Sequence, residues 1–390
     1  MRILVVGGFE SSSRRAHAIN TAKMAQGFAR CGHAVTLVCR RPATGTISPT
    51  LLNRDFGITA ALRWVQLPNR LGQGWRFASA VLGVALAGRA ELVYARSFAV
   101  PRLTTRLGIL SVAESHAHVG DRSPGLLGLC RTSQHEAFGL WVTISDVLQD
   151  YYRSLGAAAH KLVTLPDAVD LEAFARPHRL PPNPYVGSRP RVVYCGHLYD
   201  YKGIPTIIEA AEGLAHLDFH LVGGLPEDVQ RTRQRLAARG LTNVTLHGHR
   251  PPADVPPYLW HADVLLLPPS AHHPSARWTS PVKLGEYLAS GVPVVSTSIP
   301  ALRDWLTDAE TRFVEPDDPL ALADGIQAVL ADRALAASLS EAGRQKAPTL
   351  AYRRRAERVL SHPEVAHRLA RGWLRNAVAG LMPRGGSGHG

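Results

Sequence analysis

The sequence predicts an α/β protein of two doubly wound domains facing a central cleft. Three observations carry that expectation. Short apolar runs alternate with longer amphipathic segments from end to end, the rhythm of parallel strands covered by helices on both faces. A proline-rich stretch, "RPHRLPPNPYVGSRPR" from Arg176 to Arg191, breaks the rhythm like a linker, and the rhythm restarts beyond it. The 390 residues are also too many for one ordinary core and suit two.

In the first domain, expected over residues 1–180, the strands are "ILVVG", "AVTLVC", "RWVQLP", "ELVYA", "ILSVAE", "LWVTIS" and "KLVTLP". Between the first two lies the helical pattern "RRAHAINTAKMAQGFARCG", which stops on Gly32. The second domain, expected over 185–350, has "VVYCG", "DFHLVGG", "NVTLHG", "DVLLLPP", "VPVVST" and "RFVEP" as strands. From Pro319 the pattern is helical and continues into a basic segment, 351–390. Ligands of such sheets are expected at the carboxyl ends of the strands.

Composition narrows the function classes. An apolar share of 45% suits a globular protein, and the longest apolar stretch, Phe77 to Gly88, is too short to span a bilayer. Cys31, Cys39, Cys130 and Cys195 are scattered without a CxxC, which argues against a zinc site or a disulfide framework. The N-terminal apolar run is too short for a secretory signal, so a cytoplasmic location is expected. Charge is uneven: +10 over residues 1–180, −3 over 181–350 and +6 over 351–390. That asymmetry suggests a surface that meets an anion or an anionic membrane, although an arginine-favouring genome explains the total equally well. No aromatic-basic interleaving marks a nucleic-acid binder.

The stretch "WTSPVKLGEYLASGVPVVSTSIP", Trp278 to Pro300, holds the densest chemistry. Pro281 suits a first helical turn with Ser280 as its N-cap, and a helix start at a strand's carboxyl end favours a phosphate. Glu286, one to two turns further in, is placed to accept from a ribose diol; a solvated helix residue is the other reading. Gly7 and Gly8 follow the first strand without a G-x-G-x-x-G, so they allow close backbone approach to a ligand or simply make a tight turn.

"SPVKLGEYLASGVPVVST" resembles the "SPxKxxEYxAxGxPVV" block of the retaining glycosyltransferases of family four, which have the GT-B fold of two Rossmann-like domains. Other blocks follow in that family's order. "VVGGFESSSRRAHAINTAKMAQGFARCGHAVTLVC" is similar to its glycine-rich start, and "VAESHAH" to its E-x-H segment. "TISDVLQDYYRSLG…KLVTLPDAVDLEAF" is similar to its "PNGVD" region, "VVYCGHLYDYKGIPTIIEAA" to "GRLxxxKGxxxLIxA", and "LVGG" to the next strand end.

The resemblance implies a sugar moved from a nucleoside diphosphate, with no metal and no cofactor. Pro281 and Val282 would start the helix that meets the diphosphate, Glu286 would hold the ribose, and Lys202 would neutralise the departing phosphate. Gly7, Gly8 and Ser280 would also border the donor, and His116 would face the reacting sugar, with His118 close enough to be confused with it. Lys283 would add charge or face solvent.

Three departures stand out. His197 replaces the family arginine, and it is a cation only if its pKa rises. Trp278 replaces a family acid, so either contacts to the donor sugar would fall to His272, His273, Arg277 or Thr279, or the donor sugar is a less polar deoxysugar. Asp167 and Ala168 replace Asn-Gly, which is expected to alter only a turn.

In GT-B proteins of this kind the last helix crosses back to the first domain. The basic segment would then lie on the acceptor side, with Trp373, Leu374 and Val378 available as apolar anchors. The expected acceptor is a lipid-linked or anionic intermediate of cell-surface polysaccharide or glycoconjugate synthesis, met on the inner face of the membrane. A small soluble acceptor, or a sugar-nucleotide binder without catalysis, are the alternatives. The oligomeric state is not legible.

Overall fold

The computed structural model describes residues 1–13 and 15–370, so Trp373, Leu374 and Val378 lie outside the described residues. Each of the thirteen runs expected to be a strand is one, while the long apolar stretch from Phe77 belongs to the helix Trp75–Ala87. The first sheet contains β1 (Arg2–Glu10), β2 (Ala34–Arg40), β3 (Arg63–Leu67), β4 (Leu92–Arg96), β5 (Ser111–Glu114), β6 (Phe138–Thr143) and β7 (Leu162–Thr164), in spatial order β3-β2-β1-β4-β5-β6-β7. The second contains β8 (Arg191–Cys195), β9 (Asp218–Val222), β10 (Val244–Gly248), β11 (Val264–Leu267), β12 (Val294–Thr297) and β13 (Arg312–Val314), in order β10-β9-β8-β11-β12-β13. The pairings within each sheet are parallel.

Helices cover both faces of each sheet, which explains why strands such as "ILVV" are continuously apolar rather than alternating: Ile3, Leu4, Val5 and Val6 are all buried. Chain order reverses between β1 and β4 in the first sheet and between β8 and β11 in the second. A crevice opens at the carboxyl ends of such neighbours, because the connecting helices depart to opposite faces.

The chain crosses between the domains and later returns along the same seam. Val169 N–H donates to Leu350 O at 2.9 Å, and Tyr352 N–H donates to Val169 O at 3.1 Å. Helix Tyr352–Ser361 then packs on helix Ala16–Arg30, where Tyr352, Ala356 and Val359 join the first domain's core. A further helix over 363–370 places Val365 in the same core. Over its described residues, 351–370, the final segment therefore crosses back. One residue of its basic count does not reach the surface: Arg355 is buried and pairs with Glu114 at 3.0 Å. Among the described residues no helix is long and apolar enough to cross a membrane.

Candidate functional site

A cavity of about 290 Å³ opens at the second sheet's reversal point. It is bordered by Gly196 and His197 after β8, Gly223 and Gly224 after β9, Lys202, and the start of helix Val282–Ser290. Backbone geometry prepares it. Gly203, at φ +85°, turns the chain so tightly against β11's end that a Cβ there would lie 1.8 Å from Pro268 O, which fixes Lys202 just ahead of it. The N-cap of helix Val282–Ser290 is Pro281, with no side chain capping the first turn. The Ser280 cap expected from sequence is not formed, because its hydroxyl accepts from Asp167 N–H at 2.7 Å and so ties the helix start to the other domain. The first turn, with its partial positive charge, is left facing the cavity.

Lys202, Lys283 and Glu286 line this space, and none of them forms a salt bridge among the described residues. Lys283 does not face solvent. Its Nζ lies 3.9 Å from the centre of the Tyr194 ring, beneath Gly196, where a Cβ would come within 2.3 Å of it. Burial, and then Lys202, pull Lys283 down to about 7. Burial pushes Glu286 up to about 7, against the pull of Lys283 and Lys23. Glu286 is half-buried and lines the cavity. Lys202 is lowered by burial, with Asp167 opposing. His197 is also lowered, by burial and then by Lys283, so it is no substitute for a permanent cation. Its Nδ1 is buried without a partner.

Across the cleft His116 follows β5. Its Nε2 lies 2.6 Å from Glu114 Oε1, while Arg355 and the Tyr94 hydroxyl engage the other carboxylate oxygen. Burial alone would raise Glu114, yet Arg355 and His116 hold its carboxyl well below the usual range. Asp167 Oδ1 lies 3.9 Å from His116 Nε2 and accepts from Asn20. The Asn-to-Asp departure in "PDAVD" therefore reaches the cleft and does more than alter a turn. Glu114, His116 and Asp167 bring one potential ligand atom each within 4.8 Å of one another, but Arg355 already supplies the positive charge opposite Glu114.

The cavities join. Lys202 and Thr279 line both the donor-side cavity and a space of about 580 Å³ between the domains. His116 lines that space and also a first-domain cavity of about 740 Å³. His118, His273 and Trp278 border the middle space, and Trp278 also packs against the first domain's core. Gly8 borders the first-domain cavity rather than the one holding Glu286. Gly7 is buried inside β1 with no tight turn, its missing Cβ making room for the Phe9 ring. His272 and Arg277 are exposed and line none of these three cavities. Sequence reasoning left Lys283 open, although its i, i+3 spacing from Glu286 puts both on one helix face. It missed Arg250 and the cluster Arg96, Arg102 and Arg131 altogether.

Residues 19–173 match the family model described as Glycosyltransferase Family 4, and residues 189–332 match the one described as Glycosyl transferases group 1. The chain is similar to TuaH of Bacillus subtilis (strain 168), named for teichuronic acid biosynthesis, at 28% identity over 179 residues, 45% of this chain and 44% of TuaH. It is similar to WcaL of Escherichia coli (strain K12), named for colanic acid biosynthesis, at 29% over 198 residues, 48% of this chain and 47% of WcaL. These matches span about half the length of the curated relatives. Among solved structures, Anabaena Alr3699/HepE in complex with UDP superposes with a TM-score of 0.68 at 16% identity, covering 93% of this chain and 100% of that one, a likeness of fold.

Proposed function

The chain belongs to glycosyltransferase family four, and from that premise we propose that its cleft moves a sugar from a nucleoside diphosphate to a hydroxyl of a glycan acceptor, with retention at the anomeric carbon. The observation that carries this is the continuity of the cleft: Glu286 and Lys202 lie at one end, Lys202 and Thr279 lead into the middle, and His116 opens to the far cavity. A nucleoside diphosphate fits the first end. Glu286 accepts from the ribose hydroxyls, while Lys202, Lys283 and the open turn at Val282 meet the phosphates.

In the transfer, the bond from the anomeric carbon to the diphosphate oxygen breaks, and the acceptor oxygen bonds to that carbon on the same face. The acceptor proton passes to the departing diphosphate oxygen. The two lysines stabilise the charge that gathers there, at about 3 kcal/mol for a well-placed group. Glu114 orients His116 by holding a proton on Nε2, which leaves Nδ1 to accept from a sugar hydroxyl. No step calls on a metal.

The relatives' names support a glycan intermediate of cell-surface polysaccharide synthesis as acceptor. A lipid-linked acceptor would bring the basic first domain and the exposed Arg353, Arg354 and Arg358 of the returning helix to the inner face of a membrane. Incubation with UDP-, GDP- and TDP-sugars and lipid-linked acceptors tests the reading. Free nucleoside diphosphate should appear only with acceptor present, and the anomeric proton coupling of the product should match that of the donor. No release with any pair, or an inverted product, contradicts it.

A further inference from the structure

Transfer alone does not explain the walls of the first-domain cavity. Arg96, Arg102 and Arg131 line it, and among the described residues none of them has a carboxylate within ion-pair distance. The acid that does line it, Glu114, is committed to Arg355 and His116. Arg102 is the best defined of the three. One face of its guanidinium lies under the Trp75 ring, 4.8 Å from the ring centre. The group also lies against Gly128, where a Cβ would come within 2.4 Å of Cζ. Its Nε is buried and has no hydrogen-bond partner. Contact with Trp75 and with Gly128 limits where the planar group can go, and its unpaired Nε is available to donate to a carboxylate or phosphate. Burial, together with Arg106 and Arg131 nearby, lowers its pKa, which an anion would reverse.

Independent backbone evidence agrees. Helices Trp75–Ala87 and Ala99–Arg106 both begin at this cavity, and neither has a side chain capping its first turn. Two helix starts and three guanidiniums thus converge at the carboxyl end of β4, beside the first sheet's reversal point. Trp75 remains 45% exposed, leaving an aromatic surface for a sugar ring next to the charge.

We propose that this cavity seats an anionic substituent, a carboxylate or a phosphate, of the glycan acceptor, with Arg96, Arg102 and Arg131 as the specificity-determining contacts. The word acceptor rests on the transferase reading; the anion seat itself does not. The full chain is titrated with methyl glucuronide, glucose 6-phosphate and neutral methyl glucoside, with binding followed by calorimetry or ligand-observed NMR. At least one anion should bind about tenfold or more tighter than the neutral glycoside. That preference should fall by about tenfold in Arg102→Gln, which loses a charge-assisted contact, and also in Gly128→Ala, which displaces the guanidinium without removing it. Preference for the glucuronide identifies a uronate, and preference for the phosphate ester a phosphosugar; either supports the seat. Stabilisation of both variants by UDP reports that they are folded. Equal binding of all three probes, or an anion preference that survives in both folded variants, overturns the proposal. A wild type that takes the anion but never transfers sugar would defeat the transferase reading and leave the seat standing.

Discussion

The cleft holds two glutamates in opposite circumstances, Glu114 buried and Glu286 half-buried. Glu114 is matched by Arg355, Tyr94 and His116, and its carboxyl stays ionised well below the usual range. Glu286 has no salt bridge among the described residues, and burial carries it up to about 7, while Lys283 on the same helix face comes down to about 7. A matched charge positions its neighbours and stabilises the fold. An unmatched one costs folding energy and is retained only if something else completes it. The difference separates the part of the cleft that orients His116 from the part that awaits a ligand.

Breaking the matched cluster should have the largest effect, and on stability. Arg355→Met strands Glu114 and should cost about 3–5 kcal/mol, read as a lower denaturation midpoint. Because the folded Glu114 titrates below its unfolded value, the deficit is full above about pH 5 and shrinks on acidification through the folded value. A variant as stable as wild type at neutral pH would show that the pair contributes nothing.

Breaking the unmatched end should act on function instead. On the proposed donor seat, Glu286→Ala loses two hydrogen bonds to the ribose, for a cost of about 2–3 kcal/mol in kcat/KM for the donor. Wild-type turnover in that variant would remove Glu286 from the site.

Next comes Lys283. Its low pKa makes its charge conditional, so a diphosphate should draw a proton onto it, and more so as pH rises above about 7. UDP titrated into the protein at pH 8, in buffers of different ionisation enthalpy, should show proton uptake of up to about one that Lys283→Met abolishes. Unchanged uptake in the variant would place the proton elsewhere. The smallest effect belongs to His197, neutral through burial and the nearby Lys283. His197→Ala should change UDP affinity by less than about 1 kcal/mol between pH 6 and 8. A loss at pH 6 that vanishes at pH 8 would show that it carries charge after all.

What was legible in the sequence follows the same division. The strands could be read because a sheet covered on both faces needs unbroken apolar runs, and "ILVV" or "VLLL" has no other economical use. Lys202 and Glu286 are singled out by the resemblance of their blocks to the family's, and the turn ending in Gly203 and the helix start after Pro281 bring both to the lining of one cavity. Tertiary partnerships were not legible. Ser280 looked like a cap because nothing in the chain announces that Asp167 N–H will claim its hydroxyl. His272 and Arg277 looked available because a loop's course has no periodicity to read. Arg102 meets Trp75 and Gly128 only once three helices have packed.

The central claim is that the unmatched charges of the second domain are kept for a nucleoside diphosphate. Thermal unfolding of wild type and Glu286→Ala at pH 7.5, each with and without excess UDP, tests it most directly. The folded carboxyl titrates above its unfolded value, so its ionised form weakens the fold once pH exceeds the unfolded pKa, and removing it relieves that cost. The variant without ligand should therefore melt at or above the wild-type temperature. Saturating UDP, worth about 2.7 kcal/mol at a hundredfold excess over Kd, should raise the wild type and raise the variant far less. A variant that melts lower without ligand yet gains the full UDP shift would contradict the claim, marking Glu286 as a structural residue and placing the nucleotide elsewhere.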